Sequence, residues 1–238
     1  MNYHCVAITG ASSGIGRAIA LKMGQENLSV GILARRHDKL EEVAAEIKAV
    51  NPKAKVFPFQ GDVRDKNSVK VFLNETENFL GEVDIFVNNA GIGFNESFTS
   101  LSPEQVEGML ETNFSGSVWS IYHAMKLFEK RKKGVLVNIS STTVLKPSSM
   151  VPLYAATKLG VHGLVRALEE EHLTNPDMKV INITPGPTLT DIIQGTIAKA
   201  DERNLISPDD IAQWMWLAIN SPKSCKVSNL VLRNSGKF

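Results

Sequence analysis

Short runs of consecutive apolar residues alternate along the chain with longer stretches in which apolar positions recur every three or four residues. The short runs are His4–Thr9, Ser29–Ala34, Lys55–Gln60, Val83–Asn88, Gly134–Ser140, Lys179–Thr184 and Ser228–Leu232. Most are nearly continuous, as strands covered on both faces are. The helical stretches are Gly16–Glu26, Lys39–Val50, Ser68–Leu80, Pro103–Lys132, Pro152–Leu173 and Pro208–Ile219. Ser102-Pro103-Glu104 and Ser207-Pro208-Asp209 each supply a hydroxyl N-cap, a proline at the first helical position and an early acid. The alternation predicts an α/β fold: one doubly wound parallel sheet of about seven strands, flanked by helices on both faces. No repeat or linker divides residues 1–238, so a single domain is expected. The longest irregular stretch follows the sixth strand, and residues 187–206 are expected to form a substrate lid.

Charge narrows the function classes. With 26 basic and 25 acidic residues the formal charge is +1, which lacks the basic footprint of a nucleic-acid binder. The run Lys130–Lys133 reads as a solvated helix end stopped by Gly134. Two cysteines, Cys5 and Cys225, fit a reducing compartment better than a disulfide scaffold. The N-terminus carries no basic-then-apolar leader pattern, and no apolar run approaches the ~20 residues needed to span a bilayer. A cytoplasmic location without membrane contact is expected. No Cys/His/Asp cluster has metal-ligand spacing, so no metal is expected.

The first strand runs directly into Thr9-Gly10-Ala11-Ser12-Ser13-Gly14-Ile15-Gly16, and a helical pattern follows at once. Glycines there permit a tight turn and close backbone approach to a pyrophosphate, and the helix N-terminus favours its charge. The spacing is G-x-x-x-G-x-G, not the commoner G-x-G-x-x-G. In this Rossmann-like arrangement the end of the second strand meets the adenosine ribose, where NAD sites commonly carry an acid. Here the strand ends Ala34-Arg35-Arg36. A guanidinium without a neighbouring carboxylate suits a 2′-phosphate, so NADP(H) is expected over NAD(H), with Arg35 as reader. Ser13 could add a hydroxyl contact; Arg36 and His37 read as solvent-facing. Asp62 and Val63 follow the third strand and suit the adenine, although Asp62 reads equally well as a turn acid leading a helix. Asn89, Ala90 and Gly91 follow the fourth strand, where small residues let backbone pass close to a ribose.

Tyr154 and Lys158 stand four apart in a helical pattern and share a face. A carbonyl reduced by hydride needs a proton donor, and a nearby ammonium favours phenolate and lowers a tyrosine pKa. Taken alone, such a pair is usually ordinary helix surface. Thr9–Gly16, Asn88-Asn89-Ala90-Gly91, Asn113, Ser141, Tyr154-Ala155-Ala156-Thr157-Lys158 and Pro185-Gly186 occur in order along the chain. With these segments the sequence resembles the classical short-chain dehydrogenase/reductase family over essentially its whole length. The resemblance implies that Tyr154 transfers the proton, that Ser141 orients the substrate oxygen and that Lys158 lowers the tyrosine pKa and holds the cofactor ribose. It implies that the backbone of Asn113, at a break in a long helix, holds a relay water. Ser140 is expected to support its strand. Pro185, Gly186, Thr188 and Thr190 fall on the turn that meets the nicotinamide end of the cofactor.

The substrate wall is expected from Ile92–Phe94, Thr142–Leu145, Met150, Pro187 and the lid. Its mostly apolar character suits a small to medium ketone, aldehyde or 3-oxo/3-hydroxy acid derivative. The ending Asn229–Gly236 lacks the Val-Asp-Gly-Gly type common among acyl-carrier-protein reductases of the family, and is more similar to its branch of 3-hydroxy acid and serine dehydrogenases. A 3-oxoacyl-carrier-protein reductase remains an alternative, as does a non-catalytic NADP-binding regulator. His162 and His172 read as ordinary helix positions. Gly160 and Gly163, beside Ala155 and Ala156, leave a small helix face, and a homodimer or homotetramer is expected.

Overall fold

The computed structural model of the chain describes residues 3–190 and 205–235. Seven strands form one parallel sheet: β1 (Cys5–Thr9), β2 (Ser29–Ala34), β3 (Val56–Gln60), β4 (Ile85–Asn88), β5 (Gly134–Ile139), β6 (Met178–Pro185) and β7 (Asn229–Leu232). Their spatial order is β3-β2-β1-β4-β5-β6-β7. The order reverses between β1 and β4, and the crevice at such a reversal is where ligands bind in open parallel sheets.

The helices are α1 (Gly14–Gln25), α2 (His37–Val50), α3 (Ser68–Leu80), α4 (Pro103–Met109), α5 (Ser117–Arg131), α6 (Pro152–Glu171) and α7 (Pro208–Ile219). Successive side chains of β1 point to opposite faces. Val6 and Ile8 join a core with Ile19, Leu40, Ile47 and Met215. Cys5 and Ala7 join the opposite core with Phe72, Phe86, Phe128 and Val161. The near-continuous apolar strands are explained by these two cores.

The stretch expected as one helix from Pro103 to Lys132 is broken. Between α4 and α5 lies a π-helical segment, Leu110–Gly116. Such wider turns inside a helix concentrate at functional sites. Gly116 is needed in it, because a Cβ there would stand 2.9 Å from the Val63 carbonyl oxygen and 3.0 Å from that of Glu111. The basic run also differs from expectation. Lys132 itself takes the left-handed conformation that ends α5, and Gly134 already begins β5. A side chain on Gly134 would run into the Phe128 ring.

Four asparagines stand in register across the C-terminal half of the sheet: Asn88 opposite Asn138, Asn138 opposite Asn182, and Asn182 opposite Asn229. The Asn88 amide donates to Asn138 Oδ1, and the Asn138 amide donates to Asn182 Oδ1, each at 2.8 Å. Thr184 donates to Asn229 Oδ1 at 2.7 Å. Buried amides linked in this way hold neighbouring strands to one register.

Of the expected lid, residues 191–204 lie outside the described residues. Its two ends are joined: Leu189 N–H donates to the Ile206 carbonyl and Ile206 N–H to the Pro187 carbonyl, each at 3.0 Å. The excursion therefore leaves and returns at one point beside the end of β6.

Candidate active site

At the carboxyl edge of the sheet lies a cavity of about 740 Å³. It starts at the loop between β1 and α1. Gly10 and Gly14 there have φ of 67° and 54°, a region that favours glycine. A Cβ on Gly10 would stand 2.7 Å from Ala90 Cα, so the loop packs directly on the backbone that follows β4. Thr9 fixes that packing. Its hydroxyl donates to the Val87 carbonyl and accepts from the N–H groups of Asn89 and Ala90. The Asn89 amide bonds the carbonyls of Thr9 and Gly10. Gly16 is needed behind the loop, where a side chain would collide with the Gly10 carbonyl. The N-terminus of α1 has no side-chain cap from Ser13, so its leading N–H groups are available to an anion.

Gly10, Ser12, Ser13, Gly14, Ile15, Arg35, Asp62, Val63, Asn89, Ala90, Gly91, Pro185, Gly186, Thr188 and Thr190 all line the cavity. Gly16 and Asn113 do not, and stand behind its wall. Arg36 is exposed, as expected, and it also contacts the glycine loop. Its guanidinium donates to Ser12 Oγ at 3.0 Å and Ser13 Oγ at 3.3 Å, and so bridges the end of β2 to the glycine loop. Asp62 accepts from the Arg64 backbone and guanidinium. Burial pushes the Asp62 carboxyl up, but these bonds and the Arg64 charge outweigh it and leave it below its usual range. Asp62 thus shapes the turn that leads to α3 while also lining the cavity, and both of its expected readings stand.

Deeper in, Ser141, Tyr154 and Lys158 line the same cavity. Ser141 follows β5 by two residues, and its Oγ accepts from Thr143 N–H at 3.2 Å. Tyr154 and Lys158 project from the first turns of α6, whose start is set by Pro152 at the first helical position. Lys158 Nζ donates to the Ile139 carbonyl at 2.9 Å and lies 5.8 Å from the Tyr154 ring centre. Burial pulls the Lys158 ammonium down to about 8. Burial pushes the Tyr154 phenol up to about 12, against a hydrogen bond with Ser141 that lowers it. Sequence reasoning expected a lowered phenol. In the free site the direction is the opposite, because Lys158 spends its contact on Ile139 and removal from water dominates.

Asn113 sits at the centre of the π-helical segment and is buried. Its amide accepts from Ile92 N–H and donates to the Ile92 carbonyl, at 2.8 and 2.7 Å, and also donates to Thr157 Oγ1. It thereby ties the loop after β4 to α6. Of the expected substrate wall, Ile92, Gly93, Phe94, Thr142, Thr143, Met150 and Pro187 line the cavity; Val144 and Leu145 do not. The contacts of Thr9, Arg36 and Thr157 were not singled out, although Thr9 and Thr157 fall inside the Thr9–Gly16 and Tyr154–Lys158 segments and Arg36 is the second of two adjacent arginines. Away from these residues, Glu129, Glu171 and His172 bring three ligand-type atoms within 4.8 Å of one another, with both glutamates exposed.

The family model of the short chain dehydrogenases matches residues 4–201. The chain belongs to that family. It is accordingly an oxidoreductase, a short-chain dehydrogenase/reductase of the Rossmann-like type. An uncharacterized oxidoreductase of Staphylococcus epidermidis is 30% identical over 226 residues, covering 95% of each chain. One from Staphylococcus aureus is 31% identical over the same length. Among solved structures, the alcohol dehydrogenase of the archaeon Thermococcus sibiricus, complexed with 5-hydroxy-NADP, superposes with a TM-score of 0.89 at 29% identity. That match covers 100% of this chain and 99% of the other. ElxO with NADP bound gives a TM-score of 0.85 at 26% identity, covering 98% of each chain. Among the described residues, no helix is long and apolar enough to cross a membrane.

Proposed function

We propose that this short-chain dehydrogenase/reductase uses NADP(H) to interconvert a carbonyl and an alcohol, with Tyr154 as the proton-transferring group. The observation that carries this reading is the convergence of Ser141, Tyr154 and Lys158 in one cavity with the glycine loop and two arginines. The glycines fit a pyrophosphate, since side chains at Gly10 or Gly16 would break the packing against Ala90, Asn89 and the Gly10 carbonyl that shapes the loop at the cavity edge. Bound there, the reduced dinucleotide supplies the hydride.

The chain's own residues do the rest. Gly10, Ser12, Ser13, Gly14, Ile15 and Gly16 form the pyrophosphate loop, and Asn89, Ala90 and Gly91 border the ribose. Asp62 and Val63 border the adenine. Pro185, Gly186, Thr188 and Thr190 flank the nicotinamide end. Arg35 and Arg36 together hold the 2′-phosphate, and Arg36 turns its guanidinium from the two serines toward it. Relatives of 29% and 26% identity solved with NADP derivatives or NADP support this choice. Ser141 donates to the substrate oxygen and fixes its position. Tyr154 gives its phenolic proton to that oxygen as negative charge develops there. Lys158 has three donors, only one of them spent on Ile139, and the remainder reach the ribose and steady the phenolate. Asn113 keeps the loop after β4 and α6 in register, and its backbone holds the relay water.

The apolar wall of Ile92, Phe94, Met150 and Pro187 suits a small to medium ketone, aldehyde or 3-oxo/3-hydroxy acid derivative. The face formed by Phe114, Trp119, Tyr122 and Leu159 is exposed, and it packs against a second copy in a homodimer or homotetramer. Phe114 of the same chain already fills the space over Gly160, whereas Gly163 is open. The test of function is NADPH oxidation against a panel of ketones, aldehydes and 3-oxo esters, with the reverse reaction on the alcohols. Turnover with several of them is expected, and consumption of NADPH by none would defeat the proposal.

A further inference from the structure

The catalytic helix α6 touches the strand end before Ser141 twice. Lys158 Nζ donates to the carbonyl of Ile139 at 2.9 Å. One turn later, His162 Nδ1 lies 3.1 Å from Ser140 Oγ. Residues 139 and 140 are thus each fastened to α6, by side chains four residues apart on one face. Ser140 is buried, and among the described residues its hydroxyl has this one side-chain partner. Its backbone N–H is already committed to the Ile183 carbonyl at 2.8 Å. A buried hydroxyl without a partner is costly, so the Ser140–His162 pair holds a defined geometry. The backbone of residue 140 carries Ser141 directly, and α6 carries Tyr154 and Lys158.

We propose that His162 is a positioning residue. It locks the strand end bearing Ser141 to the helix bearing Tyr154, and so sets the distance between the group that orients the substrate oxygen and the group that protonates it. This rests on the roles proposed above for Ser141 and Tyr154. Lys158 serves two tasks, the strand end and the reacting site, while His162 serves only the strand end. Burial of His162 and the nearby Arg166 both favour its neutral ring, whose Nδ1 can accept the Ser140 proton. Small errors in the spacing of reacting groups cost much of the rate while leaving remote binding intact.

The experiment measures kcat and KM for NADPH, with ethyl pyruvate, benzaldehyde and ethyl acetoacetate as carbonyl probes. The proteins are the wild type, His162→Leu, His162→Asn, Ser140→Ala and the double variant Ser140→Ala/His162→Leu. His162→Leu is expected to lower kcat roughly tenfold with KM for NADPH unchanged. His162→Asn, whose amide can stand near the Nδ1 position, is expected to recover most of the loss. The double variant is expected to be no worse than either single one, since each removes the same link. Should His162→Leu fail to fold, Ser140→Ala carries the same kcat-against-KM split from the other partner. An unchanged kcat in both single variants, a rise in KM for NADPH matching the fall in kcat, or losses that multiply in the double variant would each overturn the proposal. Tyr154→Phe separates this from failure of the underlying reading: if that variant turns over like wild type, it is the site assignment that falls.

Discussion

Lys158 is held at a cost. Its ammonium is buried and lowered to about 8 from an ordinary 10.5, with the Ile139 carbonyl as its hydrogen-bond partner. The folded protein therefore binds its proton less tightly than the unfolded chain does. Between about 8 and 10.5 the unfolded state holds more protons, so the stability of the free protein rises with pH through that window; below it the penalty is fully present. Lys158→Met is expected to stabilise the free protein at pH 7 by ~2 kcal/mol while abolishing turnover. Denaturant unfolding at several pH values checks this, and a gain that did not shrink toward high pH would contradict it. The two arginines make a second residue-scale case. Arg35→Ala and Arg36→Ala are each expected to raise KM for NADPH by roughly tenfold or more and to leave KM for NADH little changed. Parallel kinetics with both cofactors decide it. An unaltered preference in Arg35→Ala would leave Arg36 as the reader. The glycine loop, Ser141, Tyr154 and Lys158 were legible in the sequence because each needs a particular residue type at a fixed spacing. Arg36 and His162 were not. Their contacts depend on where a flexible or half-buried side chain finds its partner, and this is set by packing between elements distant in sequence.

Among the elements, strands were read to within about two residues, because a buried strand declares itself as an unbroken apolar run. The break in the Pro103–Lys132 stretch was not visible in the hydrophobic pattern, and only the family resemblance pointed to it, through Asn113. Both flanks keep helical periodicity, and the π-helical turn costs one extra residue in a seven-residue segment. Its purpose appears only in three dimensions, where it brings Asn113 against Ile92 and Thr157. The asparagine row shows a related limit. Each asparagine is visible in its strand, but the ladder exists only once the strands are paired. Asn138 both accepts and donates within it. Asn138→Leu would leave the Asn88 donor and the Asn182 acceptor without their partner inside the sheet, beside an Asn182 Nδ2 that is already buried without one. A loss of ~3 kcal/mol in unfolding free energy is expected. A loss no larger than that of an exposed substitution would show that the ladder contributes nothing to the sheet.

For the molecule as a whole, the reversal of strand order between β1 and β4 is what brings these elements to one edge. The glycine loop follows β1, the arginines follow β2, Ser141 follows β5 and the Pro185–Thr190 turn ends β6. In the proposed reading one cavity then serves both binding and chemistry, without a second domain among the described residues. The exposed aromatic face of α5, where Trp119 and Tyr122 meet edge-to-face at 5.7 Å, belongs to this scale too. Tyr122→Glu is expected to shift the protein to a monomer by light scattering, since a charge in a self-complementary interface meets its own copy. A wild type that is already monomeric would remove the assembly from the proposal. The most direct measurement concerns the phenol itself: kcat of Tyr154→Phe, together with its NADPH dissociation constant. Turnover is expected to fall by about a hundredfold or more with cofactor affinity within about twofold of wild type. Turnover close to wild type with that hydroxyl gone would contradict a proton passing through Tyr154.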